Sequence, residues 1–200
     1  MRLRIMAMFI LAASTLPAEN PLRLGLVVRQ GATVPSAVRQ SFETETAQGV
    51  ERSLKDRNWI LAWRDEAGSS SSESFDRLIV VLFKGDCSTI MPRLGAGSGP
   101  LGWTSTSEGR ILPFIGIDCD RVKATLMASD AWPHTLIPAG LLGRALGNVA
   151  MHEIYHVLSD RKHHDSEGLF KASYSSADLL EPGILSHREQ TEIARVPALR

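Results

Sequence analysis

The chain has 200 residues, with 22 basic and 22 acidic side chains, 44% apolar residues and 22% charged ones. These are the proportions of an ordinary folded domain, which excludes disordered, collagen-like and coiled-coil chains; the length suits one domain with a core large enough to fold without staples. Zero net charge gives no electrostatic reason to expect nucleic acid or an anionic membrane as a partner.

At the N-terminus, Arg2 and Arg4 precede an uncharged apolar run from Ile5 to Ala13, with small residues at Ala12, Ala13, Ser14 and Ala18. That is the layout of a secretory signal, and the run falls short of the roughly 20 apolar residues that span a bilayer. The expectation is a signal over residues 1–18 and a single domain over 19–200. The protein would be secreted or periplasmic, with no stable membrane insertion once the signal is removed. A buried N-terminal strand or helix is the alternative. Nothing in the sequence sets an oligomeric state.

Arg23 to Arg29 reads as a short strand. Pro35 then sits in the first turn of a helix reaching about Asp56, with apolar residues at Val38, Phe42, Ala47, Val50 and Leu54. Trp59 to Trp63 is a second strand, and the Ser-rich stretch Ala67–Ser74 is a connection. Leu78 to Phe83 is continuously apolar, which predicts a strand buried on both faces. The run Gly95–Pro100 is rich in glycine but lacks the Lys-Ser or Lys-Thr ending of a phosphate loop. Leu101–Thr106 and Ile111–Ile117 read as a hairpin turning through Ser107-Glu108-Gly109-Arg110, followed by a short helix over Asp120–Met127. This order predicts an α+β, or three-layer α/β, domain with a mixed sheet of about five strands.

Cys87 and Cys119 each follow a strand-like run, and each is preceded by Asp. In an oxidising compartment they would close one disulfide around a loop of about 30 residues, worth about 3 kcal/mol in the chain-entropy account. Otherwise they are two buried thiols. Neither has a second Cys or His at ligand spacing, which argues against zinc there.

The last long element starts near Pro138. From Leu141 to Leu158 it is apolar almost all the way round, so it belongs in the interior. Its buried polar residues then need partners. They are His152, Glu153 and His156, and four of the six histidines fall between 152 and 164. Residues four apart lie on one helix face, so His152 and His156 can aim two imidazoles at one ion. Glu153, one step round, can reach a water beside that ion. This is the zinc-peptidase pattern H-E-x-x-H. A catalytic zinc takes three protein ligands and a water, and the stretch Asp160–Gly168 offers Asp160, His163, His164 and Glu167 as the third.

From Gly140 to Val196 the chain resembles the metzincin group of zinc metallopeptidases. In that group the motif helix is followed by a turn and a third His, a tight turn carrying Met beneath the metal, and a closing helix. The order of strands and helices before the motif matches as well. The resemblance implies an α+β zincin fold with a twisted mixed sheet and a buried active-site helix. It implies one zinc ion held by His152, His156 and a third His, with Glu153 as general base acting on zinc-bound water. The substrate would be a peptide or protein.

The chain departs from that pattern in three places. H-E-x-x-H-x-x-G-x-x-H would put glycine at position 159 and histidine at 162, where this chain has Ser159 and Lys162. With Ser159 the helix should run slightly further before a wider turn. Only one of the adjacent His163 and His164 can then face the metal. His164 is favoured, because the longer helix needs more returning chain. Phe170 stands where Met would. Ser186-x-x-Glu189 forms a capping box similar to the start of the family's closing helix. Tyr155 is expected in the core, and Tyr174 is either a packing residue or a phenol that polarises a substrate carbonyl. Trp103 and its segment would be the edge strand to which a peptide adds. The departures also admit a zincin-like domain that binds zinc structurally or is inactive, and serves as a binding module. A metal-free exported binding module is a third reading.

Overall fold

Five strands form one sheet in the order β2-β1-β3-β5-β4, where β1 is Leu22–Arg29, β2 Trp59–Asp65, β3 Arg77–Lys84, β4 Gly102–Ser107 and β5 Arg110–Asp118. The structure, a computed structural model, describes residues 21–29, 33–54, 59–66, 73–90, 99–128, 136–166, 168–183 and 185–195. The expected signal lies outside those residues, as do most of the Ser-rich connection and most of the Gly-rich run. Strands β1, β2, β3 and β5 run parallel, and β4 pairs antiparallel with β5 at the edge. The hairpin between β4 and β5 turns on Glu108 and Gly109, both with positive φ (48° and 80°). Two such residues make the tight turn whose twist matches that of the strands.

Helix α1, Ser36–Leu54, follows Pro35, whose carbonyl accepts from Arg39 N at 2.9 Å. Its buried stripe of Val38, Phe42, Val50 and Leu54 meets the sheet, where the Phe42 ring lies 5.3 Å from Trp63 and 5.1 Å from Phe83. Helix α3, Ala139–Ser159, packs beside it. The two helices approach closely because Gly143 and Gly147 of α3 present bare backbone. A Cβ at Gly143 would lie 2.4 Å from that of Ser41 and 2.7 Å from the Val38 carbonyl.

Both helices cover the face carrying Leu24, Leu26, Ile79, Val81, Ile115 and Ile117, all fully buried. The other face shows Ile60, Leu78 and Phe114 at 48%, 45% and 38% exposure. The expectation that Leu78–Phe83 is buried on both sides is therefore corrected. Ile79, Val81 and Phe83 are buried, while Leu78, Val80 and Leu82 are not. Among the described residues the domain has two layers rather than three, an α+β arrangement.

Helix α2, Cys119–Met127, starts from Asp118, whose carboxylate accepts from Arg121 N. Cys87, just past β3, and Cys119 lie at disulfide distance, with Cα atoms 5.0 Å apart. Beside them the fully buried Lys123 holds the loop after β3 through Asp86 (3.1 Å) and the Ile90 carbonyl (3.0 Å). Two short helices complete the chain: α4, Ser176–Leu180, with a Ser175–Asp178 capping box, and α5, His187–Arg195. Among the described residues no helix is long and apolar enough to cross a membrane.

Candidate active site

Helix α3 carries His152 and His156 one turn apart, and their Nε2 atoms lie 3.2 Å from each other. The helix runs through Ser159, whose hydroxyl donates back to the Tyr155 carbonyl at 2.7 Å. It ends on Asp160 in the left-handed conformation (φ 53°, ψ 34°), which aspartate tolerates better than most residues. The chain thus turns one residue beyond the position that the metzincin pattern gives to glycine.

In the segment 161–164 the side chains of alternate residues fall together. Arg161 donates to His163 Nε2 (3.2 Å from Nε) on one side, while Lys162 and His164 line a cleft on the other. His164 Nε2 comes to 3.2 Å from that of His152 and 3.3 Å from that of His156. His163 lies outside this group. Asp160 is exposed at the helix end, and Glu167 lies outside the described residues.

Three imidazole nitrogens at tetrahedral positions about one zinc, each at 2.0–2.1 Å, would stand about 3.3–3.4 Å apart. The observed triangle has nearly that size. The outer nitrogens confirm its orientation, because a carbonyl can only accept. His152 Nδ1 donates to the Leu169 carbonyl at 2.8 Å, and His156 Nδ1 donates to the Arg161 carbonyl at 2.5 Å. That leaves bare Nε2 lone pairs pointing inward, an arrangement that a cation satisfies. Burial pushes His152 down to about 3, helped by the neighbouring imidazoles and opposed by the Leu169 carbonyl. Burial also lowers His156 and His164. Each shift favours the neutral imidazole, the form that binds metal.

Phe170 forms the floor. The chain bends back after His164 through a bond from Asp165 N to the Phe170 carbonyl at 2.9 Å. The fully buried Phe170 ring lies 5.1, 4.4 and 5.4 Å from those of His152, His156 and His164, and 4.2 Å from Tyr155. Phe170 N donates to Glu189 Oε1 at 3.0 Å. Glu189 also caps α5, accepting from Ser186 N, while its own N–H donates to Ser186 Oγ at 3.3 Å. The capping box thereby ties the closing helix to the floor. A second tie comes from Glu192 of α5, which pairs with the Arg161 guanidinium and accepts from the buried Tyr155 hydroxyl at 2.5 Å. The Tyr174 hydroxyl donates to the Leu169 carbonyl and lies 3.0 Å from His152 Nδ1, so it braces that ring from behind.

Glu153 sits between α3 and the edge strand. It is 5% exposed, and its Oε2 accepts from Thr104 Oγ1 at 2.7 Å. Gly102 allows this closeness, since a Cβ there would lie 2.8 Å from Glu153 Oε1. Burial raises the Glu153 carboxyl to about 7, while the Thr104 hydrogen bond works the other way. A carboxyl poised near neutrality can both take and return a proton. The cleft, about 490 Å3, runs over Glu153 and the three histidines and along β4. Among the described residues, no strand pairs with the outer side of β4.

No known protein family matches the sequence, and no curated protein does. Among solved structures, archaemetzincin from Methanopyrus kandleri matches with a TM-score of 0.52 over 90% of this chain and 98% of that one, at 13% identity. The chain has the archaemetzincin fold. At that identity the likeness to archaemetzincin is one of fold.

Sequence reading passed over Thr104, the Leu169 carbonyl, Arg161 and Glu192. Thr104 stands 49 residues from Glu153, and nothing local marks it. A backbone acceptor such as Leu169 leaves no trace in residue types. The pairing of Arg161 with Glu192 spans 31 residues and depends on where α5 packs.

Proposed function

We propose that the chain is an exported zinc metallopeptidase that hydrolyses peptide bonds in peptide or protein substrates. The observation that carries this reading is the Nε2 triangle of His152, His156 and His164 with the Glu153 carboxylate beside it in an open cleft. Those three residues would hold one zinc ion, which when bound acidifies a water and polarises a carbonyl. Glu153 takes the proton of the attacking water as its oxygen adds to the scissile carbonyl carbon. It then passes that proton to the amine nitrogen as the C–N bond breaks. Thr104 Oγ1 holds the carboxylate in position throughout, and the free edge of β4 aligns the substrate backbone. The same reading takes residues 1–18 as a secretory signal and 19–200 as one domain, secreted or periplasmic. The Cys87–Cys119 pair suits that oxidising compartment.

Replacing Glu153 by Gln should leave stoichiometric zinc, measured by elemental analysis, and abolish hydrolysis of a quenched fluorescent peptide library. Wild-type protein that binds zinc and cuts no peptide would favour a zincin-like binding module instead.

A further inference from the structure

We propose that Lys162 makes the cleft select peptides with an acidic side chain within two residues of the scissile bond. This rests on the peptidase reading above. Lys162 occupies the position where the metzincin pattern has its third histidine, and here that position is freed by the shift of the ring to His164. Arg161 meets His163 on one side of the segment 161–164, while Lys162 and His164 both line the cleft on the other. An extended substrate likewise presents alternate side chains on one side, about 6.5–7 Å apart. The cleft's other cation, Lys171, is already committed: its ammonium lies 2.5 Å from Asp178. Lys162 has no acidic partner within ion-pair distance among the described residues. It stands over the hairpin turn, its ammonium 4.0 Å from where a Cβ of Gly109 would be, and the glycine itself has no side chain to screen it.

Glu153 is the only carboxylate among the described residues lining the cleft, and it is turned toward Thr104. The remaining wall is largely apolar or hydroxylic, with Leu101, Thr106, Ile111 and Val149 along it. A basic substrate side chain at this place would meet an unpaired ammonium, whereas an acidic one would pair with it. The discrimination is electrostatic and partly exposed to solvent, so it should be modest and sensitive to salt.

The test uses zinc-loaded full-length mature protein and matched decapeptides carrying Ala, Glu or Lys at each of the two positions on either side of the cut bond. At one of these positions Glu should raise kcat/KM about three- to tenfold over Ala, and Lys should lower it. Lys162→Ala should erase that difference while neutral peptides are cut as before, and Lys162→Glu should reverse it. Equal cleavage of the Glu and Ala peptides by the wild type, or a Glu preference unchanged in Lys162→Ala, would overturn the proposal. Should no peptide be cut, the peptidase reading fails, and anisotropy of the labelled Glu and Ala peptides decides the subsite separately. Tighter binding of the Glu peptide, reversed in Lys162→Glu, supports it, and equal affinities overturn it.

Discussion

Replacing Phe170 by Ala should cost both stability and metal affinity, because one side chain serves as core and as floor. The ring is fully buried and packs against Tyr155 and the three imidazoles at centroid distances of 4.2 to 5.4 Å. Removing a phenylalanine so enclosed costs about 3–5 kcal/mol, cavity included. At 2–4 °C per kcal/mol for a chain of this size, the melting temperature of the metal-free protein should fall by about 10 °C. The histidine rings would lose the surface that fixes their tilt, and loss of such support typically weakens metal binding about 10–100-fold. Phe170→Met refills most of the volume and should cost only about 1–1.5 kcal/mol. Thermal melts of the metal-free variants and zinc titration against a chelating dye read the two effects separately. A Phe170→Ala protein that melts within about 3 °C of the wild type, with unchanged zinc affinity, would refute the assignment of Phe170 as the floor.

His164→Ala should weaken zinc binding severely and His163→Ala should leave it nearly unchanged; the reverse ranking in the same dye titration would move the third ligand to His163. Glu192→Gln should weaken zinc binding by about tenfold, since the Arg161 carbonyl that receives His156 Nδ1 would lose its anchor on α5, and an unaltered dissociation constant would show the tie to be idle. Acid should destabilise the fold in a defined window. Asp86 is held down at about 2 by Ser88 and Lys123, and Asp178 at about 2 by Lys171 and Ser175. A depressed carboxyl contributes its stability above the unfolded value of 3.8 and loses it as pH falls toward 2. Melting temperatures measured from pH 5 to 2 should therefore drop most below 4, less steeply in Asp86→Asn, and parallel curves for the two proteins would contradict the assignment.

Much of the site could be read from sequence because it is local. The apolar periodicity of 141–158 placed a buried helix, and the four-residue spacing put His152 and His156 on one face of it. Ser159 in place of glycine implied a longer helix, and that extra length is what brings position 164 rather than 162 back to the pair. What escaped was set by tertiary packing. The alternation of cover along β3 depends on both α1 and α3 lying on one face, and a run such as Leu78–Phe83 reads the same whether one side or both are covered. The placement of Glu153 depends on Gly102 and Thr104, which look like unremarkable strand residues until β4 docks against α3.

The three clustered histidines and their floor all come from residues 152–170, whereas Thr104, the partner of Glu153, arrives from the sheet. The two halves of the site therefore have different folding costs. Closing the histidine cluster takes only short loops around the end of one helix, an inexpensive step in chain entropy, while seating Glu153 requires a contact across 49 residues and a completed sheet. The histidine cluster is thus a matter of short-range closure around the end of α3, whereas the seating of Glu153 waits on the docking of β4.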